Sequence, residues 1–147
     1  MKGKPQKTIL IIEAHQALQK LYEAELQEQG FNTLLAVNNT EAQQLLHGHA
    51  VDLLISDLRE RQAAGMSTLV SLVKDRSIPL LINTGYPLSM IDRAAIREAA
   101  WVQEKSSDLD NLKDKIGELL GNGARSLQLY QGNAVQMAVE RKVEQRI

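Results

Sequence analysis

The sequence contains no cysteine, which excludes disulfide bonds, thiol nucleophiles and zinc–thiolate sites. Aromatic residues make up only 3% of the 147 residues, and this argues against the stacking platforms that bind single-stranded nucleic acid. The longest apolar run near the start extends from Ile9 to Ile12, too short for a signal-peptide core or a membrane span. We therefore expect a cytoplasmic protein that does not contact a membrane.

Neither sign of charge dominates, because the formal net charge is −1. The charge is nevertheless unevenly distributed: +3 in residues 1–7, −6 in 8–120 and +2 in 121–147. An acidic body favours a metal ion or a basic partner surface and argues against nucleic acid as its ligand. The same divisions predict a basic N-terminal segment (1–7), a central domain (8–120) and a C-terminal helical tail (121–147).

Short apolar runs alternate with segments of helical periodicity along the central domain. Strands are predicted at 8–12, 31–37, 51–56, 78–83 and 101–104, and helices at 16–29, 40–47, 66–74, 88–99 and 108–120. Thr40 to Gln43 has the pattern of a capping box, and Asp108 is the predicted N-cap of the last helix. Five alternating pairs predict an α/β fold: a doubly wound, five-stranded parallel sheet of order 2-1-3-4-5, which is flavodoxin-like.

Four polar side chains follow the predicted strands 1, 3, 4 and 5: Glu13, Asp57, Thr84 and Lys105. The carboxyl ends of parallel strands meet at one edge of a sheet, so we expect these side chains to lie close together. Two carboxylates, a hydroxyl and an ammonium suit phosphoryl chemistry. A carboxylate attacks a phosphoryl group when a divalent cation screens the repulsion, and the ammonium pairs with the charge of the product.

The segments that carry these residues are ILIIEAH, VDLLISDL, IPLLINTGY and EKSSDLDNLKDKI, and in this order they resemble the response-regulator receiver domain over residues 7–120. The resemblance implies a phosphoprotein of a two-component phosphorelay, a signalling module rather than an enzyme. Asp57 would accept a phosphoryl group from a histidine kinase or phosphotransfer protein, and Thr84 and Lys105 would sense it. Glu13, Asp57 and the backbone carbonyl of Arg59 would hold Mg2+. The output surface would be the face of the fourth helix, fifth strand and fifth helix.

Several positions depart from the pattern of that family. Ala14 replaces a second acid after the first strand, which weakens a magnesium site. Arg59 is placed to pair with an acid where the metal would bind. Val102 replaces an aromatic residue, with Trp101 on the opposite face of its strand, and Ser106 replaces a proline. The alternative is a degenerate pseudo-receiver, a phosphorylation-independent interaction or dimerisation module.

Other functions have weaker support. An aspartyl phosphohydrolase commonly needs an acid where Arg59 stands, and a flavin carrier needs a Gly/Ser/Thr-rich loop after the first strand. His47 and His49 have no supporting acids for a metal site. In the tail, apolar residues recur every four positions, which favours a helix that docks on a partner or forms a homodimer. At 27 residues, 121–147 is too short for a DNA-binding output domain.

Overall fold

The computed structural model describes residues 6–57, 66–87, 89 and 97–121. The strands are β1 (Thr8–Ile12), β2 (Asn32–Ala36), β3 (Leu53–Ser56), β4 (Leu80–Thr84) and β5 (Trp101–Glu104). The helices are α1 (Gln16–Glu28), α2 (Asn39–Gly48), α3 (Met66–Asp75) and α4 (Asp110–Leu120). Most of the helix predicted over 88–99, and the whole tail after Gly121, lie outside the described residues.

The strands form one parallel sheet in the order β2-β1-β3-β4-β5, and this confirms the predicted topology. β1 lies between β2 and β3, with Ile11 paired to both Leu35 and Ile55. Ile9, Leu10 and Ile11 are at most 1% exposed, which is why this strand is apolar on both faces instead of alternating.

Two apolar layers cover the sheet, one on each face. The first contains side chains from the sheet and from α2 and α3: Leu10, Ile12, Leu54, Ile82, Ala42, Leu46, Leu69 and Val73. The second contains those of α1 and α4 with the intervening strand positions: Ile9, Ile11, Leu53, Ile55, Leu81, Tyr22, Leu26, Leu112 and Ile116. Since each fully buried aliphatic side chain contributes about 1.5–3 kcal/mol, these layers hold the strand ends in place.

The structure corrects the two predicted N-caps. The N-cap of α2 is Asn38, not Thr40, and its side-chain oxygen accepts a hydrogen bond from the amide of Glu41 at 2.8 Å. Helical geometry begins directly after Asn38, so Thr40 already lies inside the first turn. The N-cap of α4 is Leu109, not Asp108. Asp108 acts one residue earlier, by accepting the amide of Asp110 at 2.9 Å.

Strand ends also differ from the prediction by one or two residues. β3 begins at Leu53 instead of Val51, because Asp52 binds Thr8 with both its amide and its carboxylate, at 2.8 Å each. β4 includes Thr84, which pairs with Glu104. α1 ends as predicted before Gly30, whose φ of 93° is a conformation that glycine adopts without strain.

No helix among the described residues is long and apolar enough to span a membrane.

Candidate functional site

The carboxyl edge of the sheet brings the predicted site residues together. Glu13 directly follows β1, Asp57 follows β3, and Lys105 follows β5. All three line one open cleft of about 600 Å³, which the loops after β1 and β4 also border. Thr84, the last residue of β4, lines an adjoining cleft of about 240 Å³ that Lys105 shares.

Lys105 bridges the two carboxylates. Its Nζ donates to Oε1 of Glu13 at 2.6 Å and to Oδ2 of Asp57 at 2.9 Å. The side chains are 18%, 6% and 15% exposed for Lys105, Glu13 and Asp57. Burial opposes the charged ammonium, but the hydrogen bonds and charges of both acids together outweigh it and raise the pKa of Lys105 above its ordinary value. The site therefore has two negative charges and one positive charge.

The start of α1 holds Glu13 in a fixed position. Its second carboxylate oxygen accepts the amide of His15 at 3.1 Å, and its backbone carbonyl accepts Nε2 of Gln19 at 2.6 Å. Its own amide donates to the carbonyl of Ala36 at 2.9 Å. Gln19 is buried, and sequence analysis missed this anchoring role. The only signal was a glutamine at a buried position of an amphipathic helix.

Asp57 has one oxygen without a partner. Its Oδ1 is buried and makes no hydrogen bond among the described residues, while Oδ2 is held by Lys105. A buried, unsatisfied oxygen costs about 1–3 kcal/mol. Such a cost at a carboxylate that lines a cleft points to a ligand-binding or reactive role for Asp57.

The donor set at the cleft fits magnesium. Mg2+ is commonly held by one or two carboxylates together with phosphate oxygens and water, and Asp57 and Glu13 supply two carboxylates. No group of three acids or histidines is placed to hold a metal ion in the part of the chain that the structure describes, because Ala14 contributes no ligand. Arg59, whose carbonyl was predicted as a third ligand and whose side chain as a competitor, lies outside the described residues.

Thr84 is completely buried, and its Oγ1 accepts the amide of Tyr86 at 3.0 Å. The backbone carbonyl of Thr84 accepts the amide of Lys105 at 2.7 Å. Thr84 thus shapes the turn after β4 and ties it to β5, so the hydroxyl and the ammonium belong to one connected rim of the site.

A buried polar group behind the cleft was not predicted. Asn83 on β4 and its register partner Gln103 on β5 face the α1 layer, where Asn83 donates to the hydroxyl of Tyr22 at 3.2 Å. Burial raises the pKa of Tyr22. The charge of Lys105 opposes this rise, and those of Glu13 and Asp57 add to it. The sequence carried only the two amides in predicted strands, because their pairing depends on the strand register.

Comparisons with known proteins agree with this architecture. A model of the response regulator receiver domain matches residues 9–117. The crystal structure of the response regulator protein TrrA from Thermotoga maritima, in complex with Mg2+-BeF, is 26% identical with a TM-score of 0.67, over 78% of this chain and 100% of that chain. Comparison with curated protein sequences gives no significant match.

Two further similar structures are complexes. One contains the histidine kinase ThkA with TrrA, at 26% identity and a TM-score of 0.67, over 79% of this chain and 100% of that chain. The other contains the Saccharomyces cerevisiae phosphotransfer protein Ypd1 with the receiver domain of Ssk1, at 20% identity and a TM-score of 0.64, over 80% and 91%. Because the family model covers residues 9–117 of 147, the chain belongs to the response-regulator receiver domain family.

Proposed function

We propose that Asp57 accepts a phosphoryl group from a histidine kinase or phosphotransfer protein and that the domain signals by the resulting change of state. The observation that carries this proposal is the asymmetry of the Asp57 carboxylate. One oxygen is held by Lys105 at 2.9 Å, and the other is buried without a partner among the described residues. An attacking carboxylate needs a lone pair that is not already engaged, and the hydrogen bond from Lys105 leaves the Asp57 carboxylate, which lines the cleft, with several.

In the proposed reaction, a carboxylate oxygen of Asp57 attacks the phosphorus atom of a phosphohistidine. The new O–P bond makes an acyl phosphate, and the electron pair of the broken N–P bond returns to the imidazole of the donor. A magnesium ion held by Asp57 and Glu13 would supply charge screening between the carboxylate and the incoming phosphoryl oxygens. Lys105, which starts between the two acids, pairs with the added negative charge, and the hydroxyl group of Thr84 donates a hydrogen bond to a phosphoryl oxygen.

The similar structures support the choice of partners. TrrA occurs with Mg2+-BeF and with the kinase ThkA, and the Ssk1 receiver domain occurs with Ypd1. For this chain we propose the same classes of partner. We also propose that it binds Mg2+, with an affinity that Ala14 lowers, and that its output face is formed by the helix predicted over 88–99, β5 and α4. The division at residues 7 and 121 and the cytoplasmic location remain predictions.

A second candidate function is a phosphorylation-independent interaction or dimerisation module. The observation in its favour is that Lys105 already lies 2.6 Å and 2.9 Å from the two acids, which leaves less negative charge for a cation, and Ala14 adds none. Such a pseudo-receiver would present the same output face, or the C-terminal tail, to a partner or a second copy without a chemical signal.

Incubation with acetyl phosphate and Mg2+, followed by intact mass measurement, separates the two functions. The phosphoacceptor proposal predicts a gain of about 80 Da, one phosphoryl group, that is absent in Asp57→Ala. Asp108→Asn is the matched control, because Asp108 lies exposed beyond the cleft, and it should keep the gain. If wild-type protein gains no mass at any pH or metal concentration tried, the degenerate module is correct.

A further inference from the structure

A line of hydrogen-bonded side chains runs from behind the carboxylate cleft to the edge of the sheet. The indole Nε1 of Trp101 donates to Oε1 of Gln103 at 3.1 Å. Nε2 of Gln103 donates to Oδ1 of Asn83 at 3.4 Å, and Nδ2 of Asn83 donates to the hydroxyl oxygen of Tyr22 at 3.2 Å. We call this set of four residues the amide line. It crosses from β5 through β4 to α1.

The donors of the amide line all point the same way, and the chemistry of its first member explains why. An indole nitrogen can only donate, so Trp101 requires the carbonyl oxygen of Gln103. The Gln103 amide must then donate to Asn83, and Asn83 in turn to Tyr22. Since Tyr22 accepts from Asn83, its hydroxyl proton is left for a different acceptor. Aligned hydrogen bonds of this kind polarise one another, so a change at one end is felt at the other.

The near end of the amide line lies within the electric field of the cleft. Tyr22 is only 4% exposed, and it lies on α1 one turn after Gln19, which donates to the backbone carbonyl of Glu13 at 2.6 Å. The charges of Lys105, Glu13 and Asp57 act on its hydroxyl group. Any event that neutralises one carboxylate or moves Lys105 therefore changes the potential at the Tyr22 hydroxyl, where low solvent access limits screening.

The far end of the amide line holds α4 against β5. The Nζ of Lys115 on α4 lies 3.5 Å from the centre of the Trp101 ring, and Lys115 also pairs with Glu118. Lys115 is 8% exposed, so the cation–π contact is largely shielded from water and correspondingly stronger. Trp101, Lys115 and Glu118 line a surface cleft of about 420 Å³ between β5 and α4.

We propose that Tyr22, Asn83 and Gln103 are positioning residues that couple the charge of the carboxylate cleft to the Trp101–Lys115 contact. The packing of α4 on β5 then depends on the state of Asp57 and Glu13. As a signalling route this inference rests on the proposed function. The coupling itself is a property of the unmodified protein and is measurable without phosphorylation.

Trp101 is the only tryptophan in the sequence, so the protein gives a single indole N–H resonance in a 1H–15N correlation spectrum. The cleft is perturbed by Glu13→Gln, and separately by Asp57→Asn, in three backgrounds: wild type, Tyr22→Phe and Asn83→Leu. We expect each cleft substitution to move the indole resonance by more than its line width in wild type. In the Tyr22→Phe and Asn83→Leu backgrounds the movement should fall by at least half.

Gln27→Leu is the matched control. Gln27 on α1 makes an exposed side-chain hydrogen bond to Thr33 on β2, away from the amide line, so this variant should leave the movement of the indole resonance intact. Tyr22→Phe removes only one hydroxyl, so it keeps the fold if Asn83→Leu does not. The inference is overturned if neither cleft substitution moves the indole resonance in the wild-type background. A movement of equal size in all backgrounds also overturns it, because it shows direct action of charge through space. Failure of acetyl phosphate labelling bears on the proposed function alone.

Discussion

Replacing Lys105 with methionine tests the charge balance of the cleft, because methionine keeps the length of the side chain and removes its ammonium. Lys105 makes two hydrogen bonds to carboxylates, at 2.6 Å and 2.9 Å, and each such bond to a charged group contributes about 1.5–3 kcal/mol. Water that enters the open cleft rehydrates the acids and offsets part of this loss. We expect a net loss of about 2–3 kcal/mol, or about 6–9 °C in Tm for a chain of this size.

Magnesium makes this prediction specific. In wild type a cation must displace Lys105 from Glu13, whereas in Lys105→Met both acids lack a counter-ion among the described residues. With a Kd of about 1 mM, about 10 mM Mg2+ stabilises the variant by roughly 1.4 kcal/mol. The assay is thermal unfolding followed by circular dichroism, with and without Mg2+.

Two further variants are the controls for this experiment. Lys105→Arg retains the charge and should keep most of the stability. Lys74→Met removes a lysine that is 68% exposed and pairs with Glu98 at 3.6 Å on the protein surface, and its Tm should change little. The reasoning is refuted if Lys105→Met is as stable as wild type, or if Mg2+ raises both melting temperatures equally.

The remaining predictions concern pH, metal affinity and two structural contacts. The pKa of Lys105 is raised above 10.5. The contribution of Lys105 to stability should therefore be constant around neutral pH and be lost only as the pH rises above 10.5 and through the raised pKa. Urea unfolding of wild type and Lys105→Met across the alkaline range checks this pH dependence. Ala14→Asp adds a carboxylate at the cleft and should tighten Mg2+ binding about tenfold, roughly 1.4 kcal/mol, by calorimetry. Asn38→Ala removes the α2 cap and should cost about 1 kcal/mol in chemical unfolding. Leu54→Ala, at a fully buried position, should cost about 2–5 kcal/mol in the same assay.

The sheet could be predicted because its strands are short β-branched and leucine-rich runs separated by helical stripes, and this alternation permits few topologies. Element ends were less predictable. Thr40 fits a capping-box pattern, but the geometry of the preceding turn gives the cap to Asn38. In the same way, the side chain of Asp52 takes up the amide of Thr8 before the β3 ladder begins. Such choices depend on tertiary contacts, which a local pattern does not contain.

The positions of Glu13, Asp57, Thr84 and Lys105 followed from one geometric rule, that parallel strands end at the same edge of a sheet. The connections among them did not follow. Nothing in the spacing shows that one lysine bridges both acids, since the contact joins residues 92 and 48 positions apart. The pairing of Asn83 with Gln103 required the strand register, which composition and periodicity leave open.

The central claim is that Asp57 receives the phosphoryl group, and chemical mapping of the modified residue tests it most directly. Protein treated with acetyl phosphate and Mg2+ is reduced with borohydride, which converts an acyl phosphate of aspartate to homoserine, and is then digested and sequenced by mass spectrometry. The account predicts homoserine at position 57 and nowhere else. Homoserine at another acidic residue, or intact aspartate at 57 in protein that has gained the phosphoryl mass, would contradict it.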